Sequence, residues 1–230
     1  MADSNAVVLG SLLAFLEPDD CDFLLGPGQQ RTFARDDLLM HQGDPTDYVY
    51  VLRSGWVRIT VTSQDGHEVL LALRGPGDMI GDLAAIHHWP RMGTVRALQR
   101  VDAVLLSGQQ FVASLYARPG IAVGVIKMLA ERLQEAETMR VSSATLDVSQ
   151  RVAAYLLQLA DRYGIAGREG IVIMMPLTQQ DVANSVGASR RAVARSIAVL
   201  RGRHVVLTAR KRIVVARPDV LSSFARLATG

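Results

Sequence analysis

Residues 177–200 read LTQQDVANSVGASRRAVARSIAVL, and this stretch predicts two short helices joined by a tight turn. Thr178 is a suitable N-cap for a first helix over Gln179–Ser185, because its hydroxyl can accept a hydrogen bond from a backbone N–H of the first turn. Gly187 suits the left-handed backbone conformation that the turn requires. A second helix over Arg190–Leu200 follows, so the spacing predicts a helix-turn-helix.

The second predicted helix has one apolar face and one basic face. Val193, Ile197 and Leu200 recur at helical spacing and are expected to be buried. An arginine on the opposite face can donate two hydrogen bonds to a guanine in the DNA major groove. A solvated arginine face is the alternative, but Asp181 is the only acid in residues 177–217, which favours DNA binding. The predicted base-reading residues are Arg190, Arg191 and Arg195.

Two β-rich stretches, His204–Thr208 and Ile213–Ala216, follow the helix-turn-helix and are joined by a basic connection. This pattern predicts a β-wing that lies along the phosphate backbone and adds salt-dependent affinity without sequence preference. The predicted DNA-backbone contacts are Thr178, Gln180, Ser189, Arg201, Arg203, Arg210, Lys211 and Arg212.

The charge of the chain is segregated along its length. The 230 residues include 25 Lys+Arg and 22 Asp+Glu, a net charge of only +3. Residues 1–147 carry 12 basic and 18 acidic side chains, a net of −6, whereas residues 148–230 carry 13 basic and 4 acidic side chains, a net of +9. We therefore expect only the C-terminal third to meet a polyanion.

Several classes of protein are excluded by composition and motif. The single cysteine, Cys21, cannot form an intrachain disulfide or by itself hold a zinc ion or an iron–sulfur cluster. No apolar run reaches the ~20 residues of a membrane-spanning helix, and the N-terminus lacks the basic start of a secretory signal, so a cytoplasmic location without membrane contact is expected. No nucleophile–base pair, phosphate-binding glycine loop or metalloprotease motif occurs, so we expect no catalytic residues, no metal ligands and no enzyme activity.

The N-terminal half is typical of β structure. From about Gln29 to Ser107, short β-branched stretches alternate with glycine-containing turns, which predicts an antiparallel β-roll or barrel. Asp65-Gly66 between two apolar runs is a hairpin signal. The predicted strands include Tyr48–Leu52, Val57–Val61, Val69–Leu73 and Ala103–Leu106.

A long helix is predicted from Pro119, because good helix formers follow and no proline or glycine occurs from Val125 to Tyr163. Asp147 precedes a second helix over Ser149–Tyr163. The long helix carries an apolar seam that can pack on the β-roll or on a second copy of the chain, and symmetric dimerisation is the favoured interpretation. The predicted dimer seam is Ala122, Ile126, Leu129, Leu133 and Ala136.

A glycine-cornered β-roll, a seam helix and a winged helix-turn-helix, in this order, resemble the cyclic-AMP receptor protein and fumarate-nitrate regulator family of bacterial transcription factors. The segments Gln42–Asp44, Tyr48–Gly55 and Gly77–Leu83 carry the resemblance together with the helix-turn-helix. The resemblance implies an α+β protein with a sensor domain at 1–117, a dimerisation helix and hinge at 118–147, and a DNA-binding domain at 148–230. It further implies a homodimer on a two-fold symmetric site in double-stranded DNA, which acts through contact with RNA polymerase. Residues 163–170 lie where family activators make that contact, although a flexible surface connection is the favoured interpretation of this stretch.

The same resemblance allows the effector-binding residues of this chain to be compared with those of cyclic-AMP-binding members. Cyclic-AMP-binding members use a Gly-Glu-Leu turn, an Arg-Ser pair and a Thr-Ser pair, and several of these polar groups are changed here. Because each missing hydrogen bond to a charged or buried group costs about 1–3 kcal/mol, we expect cyclic AMP to bind poorly. Another nucleotide, a different small molecule or no ligand remains open. The corresponding residues are Gly81, Asp82, Leu83, Arg91, Met92, Ala136 and Glu137.

The predicted function is therefore a homodimeric, sequence-specific transcriptional regulator with an effector-sensing β-roll. The alternative is a nucleotide or metabolite sensor that acts through protein partners, against which the basic helix and wing argue. At the DNA face, the family's frequent Arg-Glu-x-x-x-Arg reads Arg190-Arg191-Ala192-Val193-Ala194-Arg195. Because Arg191 replaces a glutamate that could accept a hydrogen bond from cytosine, we expect a different preferred half-site.

Overall fold

The computed structural model describes residues 7–66, 68–209 and 212–226, and the chain divides into two compact units after Arg132. The first unit contains a short 3-10 helix at Leu13–Phe15, then α1 (Pro18–Leu25), β1 (Gln29–Phe33), β2 (Leu38–Met40), β3 (Val49–Ser54), β4 (Val57–Thr62), β5 (Glu68–Arg74), β6 (Met79–Ile80), α2 (Asp82–His87), β7 (Thr94–Ala97), β8 (Val101–Leu106), α3 (Gly108–Ala117) and the first part of α4 (Pro119–Thr145). The second unit contains the rest of α4, then α5 (Val148–Tyr163), β9 (Gly164–Gly167), β10 (Gly170–Ile173), α6 (Gln179–Ser185), α7 (Arg190–Gly202), β11 (Val206–Ala209), β12 (Arg212–Val215) and α8 (Pro218–Arg226).

The strands of the first unit form two four-stranded sheets, ordered β1-β8-β3-β6 and β2-β7-β4-β5. All of the strand pairs in these sheets are antiparallel, which confirms the predicted β-roll. The β4–β5 hairpin places Thr62 opposite Glu68, and Gly66 in its turn has φ +79°. Residues with a side chain rarely adopt that backbone angle, which explains why the predicted Asp65-Gly66 turn has a glycine at this position.

Strand β3 separates two hydrophobic cores. Val49 and Val51 point toward the helical layer, where they join apolar side chains of α1, α2, α3 and α4 such as Phe111. Tyr50 and Leu52 alternate with them and face the space between the two sheets. Because side chains alternate in direction along a strand, one face of β3 packs against the inside of the roll and the other face packs against the helices.

Helix boundaries follow the predicted capping residues. Helix α4 begins at Pro119, and the Asp147 side chain accepts a hydrogen bond from the Gln150 N–H at 2.9 Å to cap α5. The expected domain limits at residues 117 and 147 coincide with the end of α3 and the cap of α5, and they stay predictions. The compact units divide earlier, within α4, where an ion pair between Glu135 and Arg162 joins the last turns of α4 to α5.

The second unit combines helices α5 to α8 with a sheet ordered β11-β12-β10-β9. The flexible connection predicted for residues 163–170 is wrong, because this stretch forms most of the β9–β10 hairpin, with Ile165 opposite Val172 and Gly167 opposite Gly170. β10 finds its second partner in β12, far along the chain, and that pairing orders the hairpin. In the part of the chain that the structure describes, no single helix is long and apolar enough to cross a membrane; α3 and α4, bent by 112°, pass that test only as a pair.

The turn of the helix-turn-helix gives a test of backbone conformation. Gly187 has φ +60°, and a Cβ added there would meet no atom within 4 Å. Gly187→Ala should therefore lower the free energy of unfolding by roughly 1 kcal/mol through backbone strain alone. Urea denaturation of the full chain, followed by circular dichroism, measures this change.

Gly202→Ala is the matched control, because Gly202 lies at the end of α7 with open space around it and an ordinary φ. Alanine there should be neutral or slightly stabilising. Equal stability of the Gly187→Ala and Gly202→Ala proteins would contradict the conformational explanation.

Candidate nucleic-acid interface and sensor pocket

Helices α6 and α7 meet through small and apolar side chains. Ala183 of α6 is fully buried, as are Val193 and, nearly, Ile197 of α7. Thr178 caps α6 in a capping box with Asp181, whose carboxylate accepts a hydrogen bond from the Thr178 N–H at 2.9 Å. The predicted helix-turn-helix is therefore formed in full.

The basic face of α7 points to solvent. Ser189 caps this helix, and its hydroxyl accepts a hydrogen bond from the Ala192 N–H at 3.2 Å. The three predicted base readers are all exposed, on the face opposite the buried stripe. Within the described ranges, no carboxylate lies within 4.0 Å of any of their guanidinium groups. These exposed residues are Arg190, Arg191 and Arg195.

The predicted backbone contacts lie at the edges of this surface. Gln180 donates a hydrogen bond to Asn184 at 2.8 Å, and the Arg203 guanidinium lies 5.1 Å from the Phe224 ring centroid in α8. Arg210 and Lys211, predicted at the wing tip, lie outside the described residues. The exposed members of the predicted set are Thr178, Gln180, Ser189, Arg201, Arg203 and Arg212.

The start of α5 lies beside α7, and the sequence reasoning did not include it among the candidate residues. The Ser149 hydroxyl is 3.1 Å from the Ser196 hydroxyl of α7. This contact places the first turn of α5 against α7. In the sequence, the Asp147 cap indicated where α5 begins but not that α7 packs beside this helix start.

In the sensor unit, Arg91 is buried, with 4% of its surface exposed. Its guanidinium donates to the Thr46 hydroxyl at 2.9 Å, to the Gly81 carbonyl at 3.1 Å and to the Tyr48 carbonyl at 2.6 Å. It also lies 4.6 Å from the centroid of the Tyr48 ring. Burial lowers the pKa of the Arg91 guanidinium, and nearby Asp47 and Asp44 act in the opposite direction.

Gly81 and Asp82 form the turn beside this arginine. Gly81 has φ +88°, and a Cβ there would lie 2.5 Å from the Arg91 Nη1, so the site requires glycine. The buried Asp82 carboxylate accepts hydrogen bonds from the Arg132 Nη1 at 3.2 and 3.0 Å, and Arg132 also donates to the Met79 carbonyl. Asp82 is thus committed to α4 within the same unit.

The remaining pocket candidates are more exposed. Leu83 and Met92 expose 36% and 56% of their surfaces. Met92 therefore makes no buried contact, and its side chain has no hydroxyl to donate to a ligand. Ala136 and Glu137 are exposed on the part of α4 that belongs to the second unit. Aromatic rings fill the space between the sheets, with the Tyr50 ring centroid 5.3 Å from that of Tyr48, and burial raises the pKa of Tyr50.

The predicted dimer seam lies on α4. Ile126 and Leu133 expose 65% and 62% of their surfaces, and Val141 further along exposes 61%. Ala136 is exposed and Ala122 half-buried. Leu129 is also half-buried and packs against the helical core, because the seam borders the face that α4 presents to its own unit.

No group of three or more His, Cys, Asp or Glu side chains able to hold a metal ion occurs among the described residues. The buried Asp82 carboxylate is paired with the Arg132 guanidinium.

Comparison with known proteins matches both units. The family model described as the cyclic nucleotide-binding domain matches residues 30–116, and that of the Crp-like helix-turn-helix domain matches residues 150–224. The CRP-like cAMP-activated global transcriptional regulator of Mycobacterium tuberculosis is 31% identical over 92% of this chain and 94% of its own length. The global nitrogen regulator of a Nostoc species is 27% identical over 85% of this chain and 89% of its own length.

The structure of FixK2 from Bradyrhizobium japonicum superposes with a TM-score of 0.75 at 20% identity, covers 86% of this chain and 96% of its own, and shares the fold. The predicted resemblance and α+β fold class are confirmed. The relatives are transcription factors and not enzymes, in agreement with the prediction from the motifs. A sensor domain followed by a Crp-like helix-turn-helix, with a relative of 31% identity along nearly the whole length, places this chain in the CRP/FNR family of transcriptional regulators.

Proposed function

We propose that the chain is a homodimeric, sequence-specific DNA-binding regulator of the cytoplasm whose α7 reads bases in the major groove. The observation that carries this function is the exposed row of Arg190, Arg191 and Arg195, which points away from the buried face of α7 and has no described carboxylate partner. A guanidinium without an internal partner is available to guanine O6 and N7. Selection of binding sites from random DNA, followed by footprinting, tests the proposal and defines the half-site.

Two copies of α4 would form the dimer interface. Large apolar side chains exposed along one helix, such as Ile126, Leu133 and Val141, cost free energy in water unless a partner covers them. A two-fold axis along α4 then presents two copies of α7 to half-sites about one DNA turn apart. The symmetry of the DNA site therefore follows from the symmetry of the protein.

The sensor unit would respond to a small molecule that carries a negative charge. Arg91 is a buried cation with no carboxylate within 4.0 Å among the described residues, and its partners are neutral oxygens. An anion delivered to this site gains a charge-assisted pair in a low dielectric. Cyclic AMP would bind poorly, because Met92 has no hydroxyl and Asp82 is already paired with Arg132.

The β9–β10 hairpin is the proposed contact with RNA polymerase. Its turn residues Arg168 and Glu169 are exposed, and Ile165 exposes 37% of its surface on the edge strand β9. An ordered hairpin loses less conformational entropy on binding than a flexible loop would.

Base reading and backbone contact should separate in mutant proteins. Arg195→Ala should weaken binding to cognate DNA by about 1–3 kcal/mol and relax the preference for one base pair, because it removes a contact of two hydrogen bonds to a base edge. Arg212→Ala, at the exposed start of β12, should weaken binding to cognate and random DNA equally. It should also reduce the slope of log K against log salt concentration by about 1. Fluorescence anisotropy on both DNAs, at several salt concentrations, measures these effects. Equal losses on cognate and random DNA for Arg195→Ala would contradict the base-reading role.

The dimer seam can be broken by one charge. Leu133→Glu should shift the protein from dimer to monomer, because two carboxylates would face each other across a former apolar contact. Sedimentation velocity reads the oligomeric state. Gln134→Glu is the control, since it adds the same charge at an exposed neighbouring position of α4. Dimerisation that survives Leu133→Glu would overturn the proposed interface.

The sensor prediction concerns cyclic AMP. Calorimetric titration of the wild-type protein should show no micromolar binding, and Met92→Ser, which adds the hydroxyl missing beside Arg91, should tighten binding about tenfold. Met92→Ala is the control for loss of the methionine side chain alone. Micromolar binding of cyclic AMP by the wild-type protein would refute this part of the proposal.

A further inference from the structure

A small cavity in the second unit lies apart from the proposed base-reading helix. It is formed by the last turns of α4, one face of α5 and the end of α6, and its volume is about 70 Å³. A cavity of this size holds several water molecules but falls far below the ~300 Å³ of a nucleotide-sized pocket. Its occupant is therefore a small ion or a compact polar molecule.

Arg151 on α5 lines this cavity with most of its donors unused. Its Nη1 donates one long hydrogen bond, 3.3 Å, to the Ser143 carbonyl. Its Nε is buried and without a partner, and its Nη2 makes no hydrogen bond to a described residue. No described carboxylate lies within 4.0 Å of the guanidinium. Buried donors are nearly always satisfied in folded proteins, so this arrangement points to a missing acceptor.

Hydroxyl groups surround the same space. Those of Thr138, Ser142 and Ser143 on α4 form no hydrogen bond within the described part of the chain. Across the cavity, the Ser185 hydroxyl donates to the Tyr155 hydroxyl at 2.9 Å. A cationic fork with several hydroxyl donors matches the lone pairs of an oxyanion and leaves no carboxylate in the lining to repel it.

We propose that this cavity binds a small oxyanion, with Arg151 supplying the charge and the hydroxyls of Thr138, Ser142 and Ser143 supplying further hydrogen bonds. None of these residues belongs to the base-reading set or to the Arg91 pocket. The bound anion joins α4 to α5 within one unit. It therefore fixes the end of α4 against α5, and the Ser185–Tyr155 hydrogen bond ties α6, the first helix of the helix-turn-helix, to that same helix α5.

The experiment titrates the full-length protein with inorganic phosphate, sulfate and acetate at constant ionic strength, with chloride as the reference. Calorimetry measures affinity, and hydrogen exchange reports whether residues 138–143 and 151–158 become protected. We expect saturable binding of at least one oxyanion and protection confined to these two stretches. Arg151→Gln should weaken binding about tenfold or more, the value of one charge-assisted hydrogen bond.

Two further variants keep the test decisive. Ala154→Leu keeps the charge of Arg151 but fills the cavity, so it should abolish binding even if Arg151→Gln is poorly folded. Arg168→Gln removes one exposed positive charge outside the lining and should leave affinity within about twofold. Binding that persists in both cavity variants, that is lost with Arg191→Gln instead, or that is absent for all three anions would overturn the proposal.

Discussion

The burial of one apolar stripe on α7 sets the direction of the side chains that α7 presents to DNA. Val193, Ile197 and Leu200 are buried, and successive residues of a helix are rotated by about 100°. Turning α7 by one residue would expose side chains that each contribute roughly 2 kcal/mol by burial. The same turn would drive arginines into the interior, where an unpaired charge costs several kcal/mol more. The core of the second unit thus holds Arg191 and Arg195 in place as firmly as it holds its own packing.

In the sensor unit, the buried charges of Arg91 and Asp82 are bound by groups of the protein itself. Arg91 takes neutral oxygens from the chain, and Asp82 takes Arg132. A ligand that draws on Asp82 must therefore compete with a half-buried ion pair, and breaking such a pair leaves an uncompensated charge on α4. Because α4 also carries Leu133 on the proposed seam, any exchange of partners at Asp82 acts on the helix that would form the dimer. In the proposed function, sensing and assembly would therefore share one helix, which would give a physical route between them.

Features with a local cause could be predicted from the sequence. The starts of α5, α6 and α7 follow from residues such as Asp147 and Thr178, whose side chains bond to N–H groups only three residues away. The ion pair between Asp82 and Arg132 joins positions 50 residues apart and leaves no periodic signal. The β9–β10 hairpin was missed for the same reason, since its glycine-rich stretch is typical of a loop until β12 pairs with it. The predicted seam residues lie on α4 and stay a prediction, and spacing alone could not show that Leu129 turns toward the core.

The burial of Asp181 shows how the basic surface of residues 177–217 stays uninterrupted by a negative charge. Asp181 is the only acid in residues 177–217, and it is buried, with 7% of its surface exposed. Its carboxylate accepts hydrogen bonds from the Thr178 N–H and hydroxyl at the start of α6. A carboxylate held in this way offsets the positive end of its own helix and projects little field into the groove-facing solvent. The net charge of +3 therefore understates the attraction to DNA, because acids elsewhere in the chain cancel it in the total but not at the surface where it acts.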